Sequence, residues 1–186
     1  MLMDAARSFL MVIDMQEKLL PVMDGGGGDA VVHNAGVLLQ AATRLSVPTL
    51  IFEQYPKGIG PTVAPILAVA PEGAAMAKLT FSCMGEEPCA ARIKETGISQ
   101  NRKQAVVVGM EAHVCVLQTV MELLGEGYQV FVVADATSSR SAENARLALD
   151  RMAEAGAHVV STEMVVFEWL KRAGNDDFKS LSKLIK

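Results

Sequence analysis

The chain has 186 residues, of which 51% are hydrophobic and 20% charged, with a formal net charge of −4. That balance suits a single folded domain with a full core and excludes a disordered chain. Lys and Arg are not clustered and aromatic residues make up only 5%, which argues against a nucleic-acid surface.

No apolar run is long enough to cross a bilayer. The start, Met1-Leu2-Met3-Asp4-Ala5-Ala6-Arg7, is a poor signal peptide, because an acidic residue stands where a basic n-region would be. Three cysteines, Cys83, Cys89 and Cys115, are an odd number without CxxC spacing. Free thiols in a reducing, cytoplasmic setting are the expectation.

Phe9 to Ile13 is a continuous apolar run and reads as a strand buried on both faces, ending at Asp14. A carboxylate at the end of such a strand is either a capping acid or a group placed for chemistry. Asp24-Gly25-Gly26-Gly27-Gly28-Asp29 lacks the spacing of a phosphate loop and reads as a loop. A helix follows from Asp29 to about Leu45. The second strand is Val47 to Phe52, and the stretch from Glu53 to Thr62 reads as a long loop of the kind that lines ligand crevices. Met76 to Thr80 is a short third strand with Lys78 near its end, leading to a helix around Glu86 to Thr96.

Ala105 to Val108 is the fourth strand. Gly109 closes it, and a helical pattern begins at Cys115 and runs to about Leu124. A thiol at a helix start lies near the positive end of the dipole, which favours thiolate. Tyr128 to Val133 is the fifth strand, ending at Asp135, and a helix from Ala142 to Ala155 follows. Ala157 to Val160 is the sixth, with a helix through Trp169 and a last one from about Asp176 to Ile185.

Strands alternate with helices, and the connections are too long for hairpins. This predicts a doubly wound, Rossmann-like, six-stranded parallel α/β sheet of order 3-2-1-4-5-6, with helices on both faces. The first and fourth strands then meet at the topological switch point, where ligands bind beyond the carboxyl ends. Asp14, Lys78 and Cys115 all fall on that edge. Cysteine supplies a nucleophile, Asp14 a proton acceptor for the thiol, and Lys78 a positive charge that keeps Asp14 ionised. Backbone N–H groups between Glu111 and Cys115 would form an oxyanion hole.

Asp14 within Val-Ile-Asp-Met-Gln, Lys78 within Lys-Leu-Thr-Phe-Ser, and Cys115 within Gly-Met-Glu-Ala-His-Val-Cys-Val resemble the three signatures of the isochorismatase-like cysteine hydrolases. Glu53 to Thr62 and Asp135 to Ser141 resemble the isochorismatase domain-containing branch most. The resemblance covers nearly the whole chain and implies one hydrolase domain over residues 1–186, in a homo-oligomer. It implies an Asp–Lys–Cys triad that hydrolyses amide or ureido C–N bonds through an acyl-enzyme. It also implies a cis peptide at Met110–Glu111, turning the Glu111 N–H toward the same point as the Cys115 N–H. Nicotinamidases in this superfamily have an Asp and closely spaced histidines after the second strand, which bind a metal. This chain has Glu53-Gln54-Tyr55-Pro56 there, and His33, His113 and His158 are scattered, so no metal and no cofactor are expected. Members that cleave isochorismate lack the cysteine, so Cys115 argues against that reaction.

Gln16, Tyr55, Phe81, Ser82 and His113 are candidates for the substrate pocket. The ordinary alternatives are exposure for Gln16, a core position for Tyr55 or Phe81, and a hydrogen-bonded structural role for His113. Asp135 and Arg140 are read as fixing the loop after the fifth strand. The partner expected is a small molecule, without nucleic acid or membrane. Two other functions are open: an idle binding or scaffold protein on the same fold, and a thiol redox sensor using Cys115.

Overall fold

A computed structural model describes residues 1–23 and 27–185. Six strands form one sheet in the order β3-β2-β1-β4-β5-β6: β1 (Ser8–Ile13), β2 (Thr49–Gln54), β3 (Ala75–Lys78), β4 (Gln104–Met110), β5 (Gln129–Ser138) and β6 (His158–Val160). Every neighbouring pair is parallel. The expected class and strand order are those observed.

The sheet is sandwiched, and side-chain alternation divides its residues between two cores. Leu10, Val12, Ile51, Val106, Val108, Phe131 and Val133 face one side. There they pack under α1 (Gly27–Arg44), α7 (Thr162–Leu170) and α8 (Asp176–Leu181). Phe9, Met11, Ile13, Leu50, Phe52, Val107, Val130 and Val132 face the other. That side is covered by α4 (Glu87–Lys94), α5 (Leu117–Gly125) and α6 (Ala142–Glu154). Both alternating sets are apolar because both faces are covered, which is why β1 and β4 read as unbroken hydrophobic runs.

Several expected boundaries move. The expected glycine loop lies partly outside the described residues, at 24–26, while Gly27 and Gly28 already belong to α1. Gly28 must be small: a Cβ there would stand 2.6 Å from Leu20 Cδ1, in the 3₁₀ turn Leu20–Val22. The crevice loop contains one short helix, α2 (Pro56–Ile59), and a second, α3 (Ala64–Leu67), comes just after it. The last helix stops at Leu181 instead of near Ile185. The fifth strand runs on to Ser138, because its register against β4 shifts between Val107↔Val132 and Gly109↔Thr137. That irregularity carries Asp135 sideways. Its Oδ1 accepts from the N–H and hydroxyl of Thr162 at 2.8 and 2.9 Å, fixing the start of α7.

Candidate active site

The switch point is built by close approach of β1 and β4. Gly109, at φ 140°, lies opposite Ile13, and a Cβ there would run into the Ile13 carbonyl. Only glycine fits that position. One residue beyond Ile13, Asp14 turns into the left-handed region at φ 52°, and its N–H still donates to Phe52 O at 3.0 Å. A non-glycine residue held there is strained, and such positions gather at functional sites. The turn lifts the Asp14 carboxyl out of the strand's alternation and over the sheet edge.

Lys78 ends β3, two strands away, and reaches across to it. Its Nζ donates to Asp14 Oδ2 at 2.9 Å, Gln54 Oε1 at 2.8 Å and Phe81 O at 3.0 Å. Asp14 is 0% exposed and Lys78 1%, so this is a dry ion pair. Such a pair survives burial only when its remaining hydrogen-bonding capacity is met. For Lys78 it is met by oxygens alone.

Cys115 completes the group from the far side. It sits in a π-helical turn, Ala112–Val116, that leads into α5, and it is 6% exposed. Its Sγ lies 4.0 Å from Gln54 Oε1 and interacts with the Asp14 carboxyl. The Met110–Glu111 peptide is cis. The Glu111 carboxylate accepts from the backbone N–H of Arg140 at 3.0 Å and from its Nε at 3.2 Å, tying the β5–α6 loop to this turn.

Burial raises the Asp14 carboxyl above its usual range, against the pull of the Lys78 charge and of hydrogen bonds from Cys115 and Lys78. Burial works to lower Lys78, but the charge and hydrogen bond of Asp14, with the neighbouring Cys83 and Cys115, together outweigh it and the ammonium is held more firmly than usual. Burial, then the charge of Asp14, pushes the Cys115 thiol up. This corrects the expectation of a resting thiolate: desolvation and a neighbouring carboxylate exceed what a helix start supplies. The thiol rests protonated beside an unusually basic carboxylate.

Gln54 is the residue that sequence reasoning passed over. It pairs with Lys78 in the β2–β3 register, and its Nε2 donates to Leu79 O at 2.8 Å, which aims Oε1 at both Lys78 and Cys115. The available signal was its position at the end of the second strand, on the same edge as Asp14.

The remaining pocket candidates divide. Gln16 is fully buried and donates to Gln54 O at 3.0 Å and Gly60 O at 2.6 Å, while its Oε1 accepts from Gln54 N at 2.7 Å. It holds Gln54 in place and is not exposed. Ser82 is likewise buried and donates to Glu122 Oε2 at 2.6 Å. His113 Nδ1 meets Ser139 Oγ at 2.9 Å. Tyr55 and Phe81 are both exposed, so neither is core. Tyr55 borders a crevice of about 280 Å³ beside Lys78, with Pro56, Lys57, Leu79 and Glu86. Glu53, where a metal-binding acid would stand, accepts from Thr62 N and Oγ1, both at 2.7 Å.

The Isochorismatase domain matches residues 8–164. The chain belongs to the isochorismatase family. Isochorismatase domain-containing protein 2 of Danio rerio is 38% identical over 178 residues, covering 96% of this chain and 86% of that one. That similarity puts the chain in the domain-containing branch of the family. Among solved structures, the MAR1 ribonuclease of Caenorhabditis elegans superposes with a TM-score of 0.89 at 34% identity, over 100% of this chain and 92% of that one. The YcaC gene product of Escherichia coli, an octameric hydrolase of unknown specificity, superposes with a TM-score of 0.88 at 25% identity, over 99% and 89%. This isochorismatase-family protein is a hydrolase. No helix among its described residues is long and apolar enough to cross a membrane.

Proposed function

We propose that this protein is a metal-independent cysteine hydrolase of small amides or ureides, with Asp14, Lys78 and Cys115 as its triad and residues 1–186 as one catalytic unit. The observation that carries the reading is the buried contact group itself: a protonated thiol against a carboxylate made basic by burial, with an ammonium 2.9 Å from that carboxylate. Raised basicity suits a general base, and the charge pair keeps it ionised.

As the thiol sulfur attacks the substrate carbonyl carbon, Asp14 takes the S–H proton. The carbonyl oxygen becomes an oxyanion, stabilised by the backbone N–H groups of Glu111 and Cys115. The intermediate collapses with cleavage of the C–N bond, and Asp14 returns the proton to the departing nitrogen as ammonia or an amine. Water then adds to the thioester, losing a proton to Asp14, and the acid leaves as Cys115 regains its hydrogen. Lys78 stays charged throughout and offsets the negative charge passing between sulfur, carboxylate and oxygen. Gln54 Oε1 faces the same point and is suited to accept an N–H from the scissile group.

A redox-sensor role is disfavoured, because all three cysteines are free, buried and pushed up in pKa by burial. The octameric YcaC neighbour supports a homo-oligomer. Ammonia release from a panel of amides and ureides, with Cys115→Ala as control, tests the reading. Mass spectrometry of quenched reactions should find an acyl group on Cys115. Absence of any Cys115-dependent product would move the chain to the scaffold reading, and Cys115-dependent cleavage of RNA instead would assign it to the chemistry named for the MAR1 neighbour.

A further inference from the structure

The segment from Leu79 to Met84 connects Lys78 to α4, and its hydrogen bonds run across the site to the helix that follows Cys115. The Phe81 carbonyl accepts from Lys78 Nζ at 3.0 Å and the Thr80 carbonyl at 3.4 Å. The next residue, Ser82, donates its hydroxyl to Glu122 on α5 at 2.6 Å. The one after, Cys83, donates its N–H to Thr119 Oγ1 at 3.0 Å. Thr119 Oγ1 in turn donates to the carbonyl of Cys115, one helical turn back, at 2.7 Å. Thr119 is 0% exposed, and its hydroxyl is used in both directions. A circuit therefore closes from Asp14 to Lys78, along the segment, through Thr119 and back to Cys115.

Asp14 and Gln54 each meet both Lys78 and Cys115 through side chains, and the segment adds a link that runs through backbone. Lys78 stands at the sheet edge farthest from α5 in the strand order, and Cys115 hangs on the turn after β4. Their relative height is set by whatever spans the gap. Helix interiors gain nothing from threonine: its propensity is mediocre, and its hydroxyl tends to bond backward to i−4 and bend the helix. Here that backward bond grips the residue carrying the thiol while the same oxygen accepts from the segment carrying Lys78.

We infer that Thr119 is a positioning residue, assisted by Glu122, that sets the Cys115 thiol against the Asp14–Lys78 pair by clamping the Leu79–Met84 segment to α5. The inference rests on the triad reading above and adds to it a residue that touches none of the reacting atoms. Misplacing a nucleophile by about 1 Å costs on the order of 100-fold in rate, so a clamp of this kind governs turnover without meeting substrate.

Iodoacetamide alkylation of Cys115, followed against pH by peptide mass spectrometry, tests the clamp without a substrate. In Thr119→Val the pH midpoint should move away from wild type, toward that of a free thiol, and Thr119→Ser should restore it. In the neutral Asp14→Asn/Lys78→Met background the same Val substitution should leave the midpoint where that background puts it. A Val variant that loses thermal stability with an unchanged midpoint would make Thr119 structural and overturn the inference. If Thr119→Val does not fold, Glu122→Ala decides. Glu122 is exposed, and its loss should move the midpoint the same way by a smaller amount, whereas an unchanged midpoint overturns the clamp. Failure of the triad reading would look different: no Cys115-dependent hydrolysis, with the alkylation response to Thr119 intact.

Discussion

Two buried polar clusters lie at opposite ends of β1 and β4, and they are built on opposite terms. At the amino end, Trp169 Nε1 donates to Ser8 Oγ at 3.1 Å, and Ser8 Oγ donates to Asp4 O at 2.8 Å. Gln104 Oε1 accepts from Asp4 N at 2.7 Å, and Gln104 Nε2 donates to Leu2 O at 3.1 Å. These groups are neutral and mutually paired, so the cluster fastens the N-terminal segment and α7 to the sheet at little electrostatic cost. At the carboxyl end stand a dry ion pair, a left-handed aspartate and a thiol. Asp14 Oδ1 has no partner at ordinary hydrogen-bond geometry among the described residues. One end is arranged for stability. The other holds a buried carboxylate, in a strained backbone conformation, against a nucleophile, the kind of tension that marks a reacting centre.

The sharpest way to separate the two ends is to remove charge or sulfur from one of them. Cys115→Ala should reduce ammonia release to background while the fold holds, since the lost side chain is small. Asp14→Asn should lower turnover by about 10²–10⁴-fold, the usual contribution of a general base. Lys78→Met strands the Asp14 carboxylate in a dry site and should destabilise by about 3–5 kcal/mol in urea titration. Adding Asp14→Asn to Lys78→Met should recover much of that loss but none of the activity. If Lys78→Met is as stable as wild type, the pair is not dry in solution and the contrast between the ends collapses.

The contrast was only half legible beforehand. Phe9–Ile13 and Ala105–Val108 announce themselves as central strands because two-sided burial leaves no polar interruptions, and the positions of Asp14 and Cys115 follow from where those runs end. Gln54 does not announce itself. Its role depends on the β2–β3 register that sets it beside Lys78, and a glutamine next to Glu53 looks like any exposed pair. The Ser82 bond to Glu122 is hidden for the same reason, because that partner is 40 positions away in the chain. The resting state of the thiol was misjudged because desolvation is a property of the packed site and has no local sequence signal. The overrun of β5 past Val133 follows from a register shift that periodicity does not encode.

A pH series sharpens the comparison by a smaller amount. Cys83, Cys89 and Cys115 all have thiols pushed up in the folded state, so the native chain keeps protons that the unfolded chain releases. The sign is then fixed: this stability is present below the ordinary thiol range and is lost as pH rises above ~8.5, by about 1.4 kcal/mol per pH unit for each retained proton. Lys78, also raised, adds loss in the same direction once pH passes the ordinary lysine value, above this window. Cys115→Ala should flatten the alkaline decline, measured as urea midpoints between pH 7 and 10. An undiminished slope would mean that Cys115 ionises as freely in the folded chain as in the unfolded one.

The smallest expected effect comes from the amino end, and it tests whether that end is only structural. Ser8→Ala removes the acceptor of Trp169 Nε1–H, and both residues are buried, so no water replaces it. An orphaned donor of this kind costs about 1–3 kcal/mol, which for a chain of this length lowers Tm by about 2–4 °C per kcal/mol. Because β1 carries Ser8 at one end and leads directly into Asp14 at the other, a strand able to slide would transmit the change. The strand is fixed by β2 and β4 on both sides, with ladder pairs from Leu10 to Ile13 on one and from Ser8 to Ile13 on the other. Ser8→Ala should therefore lower Tm while leaving the pH profile of Cys115 alkylation and the rate of hydrolysis unchanged. A shifted profile in that variant would show that the two ends of β1 are mechanically coupled, and that the amino-terminal cluster also sets the geometry of the site.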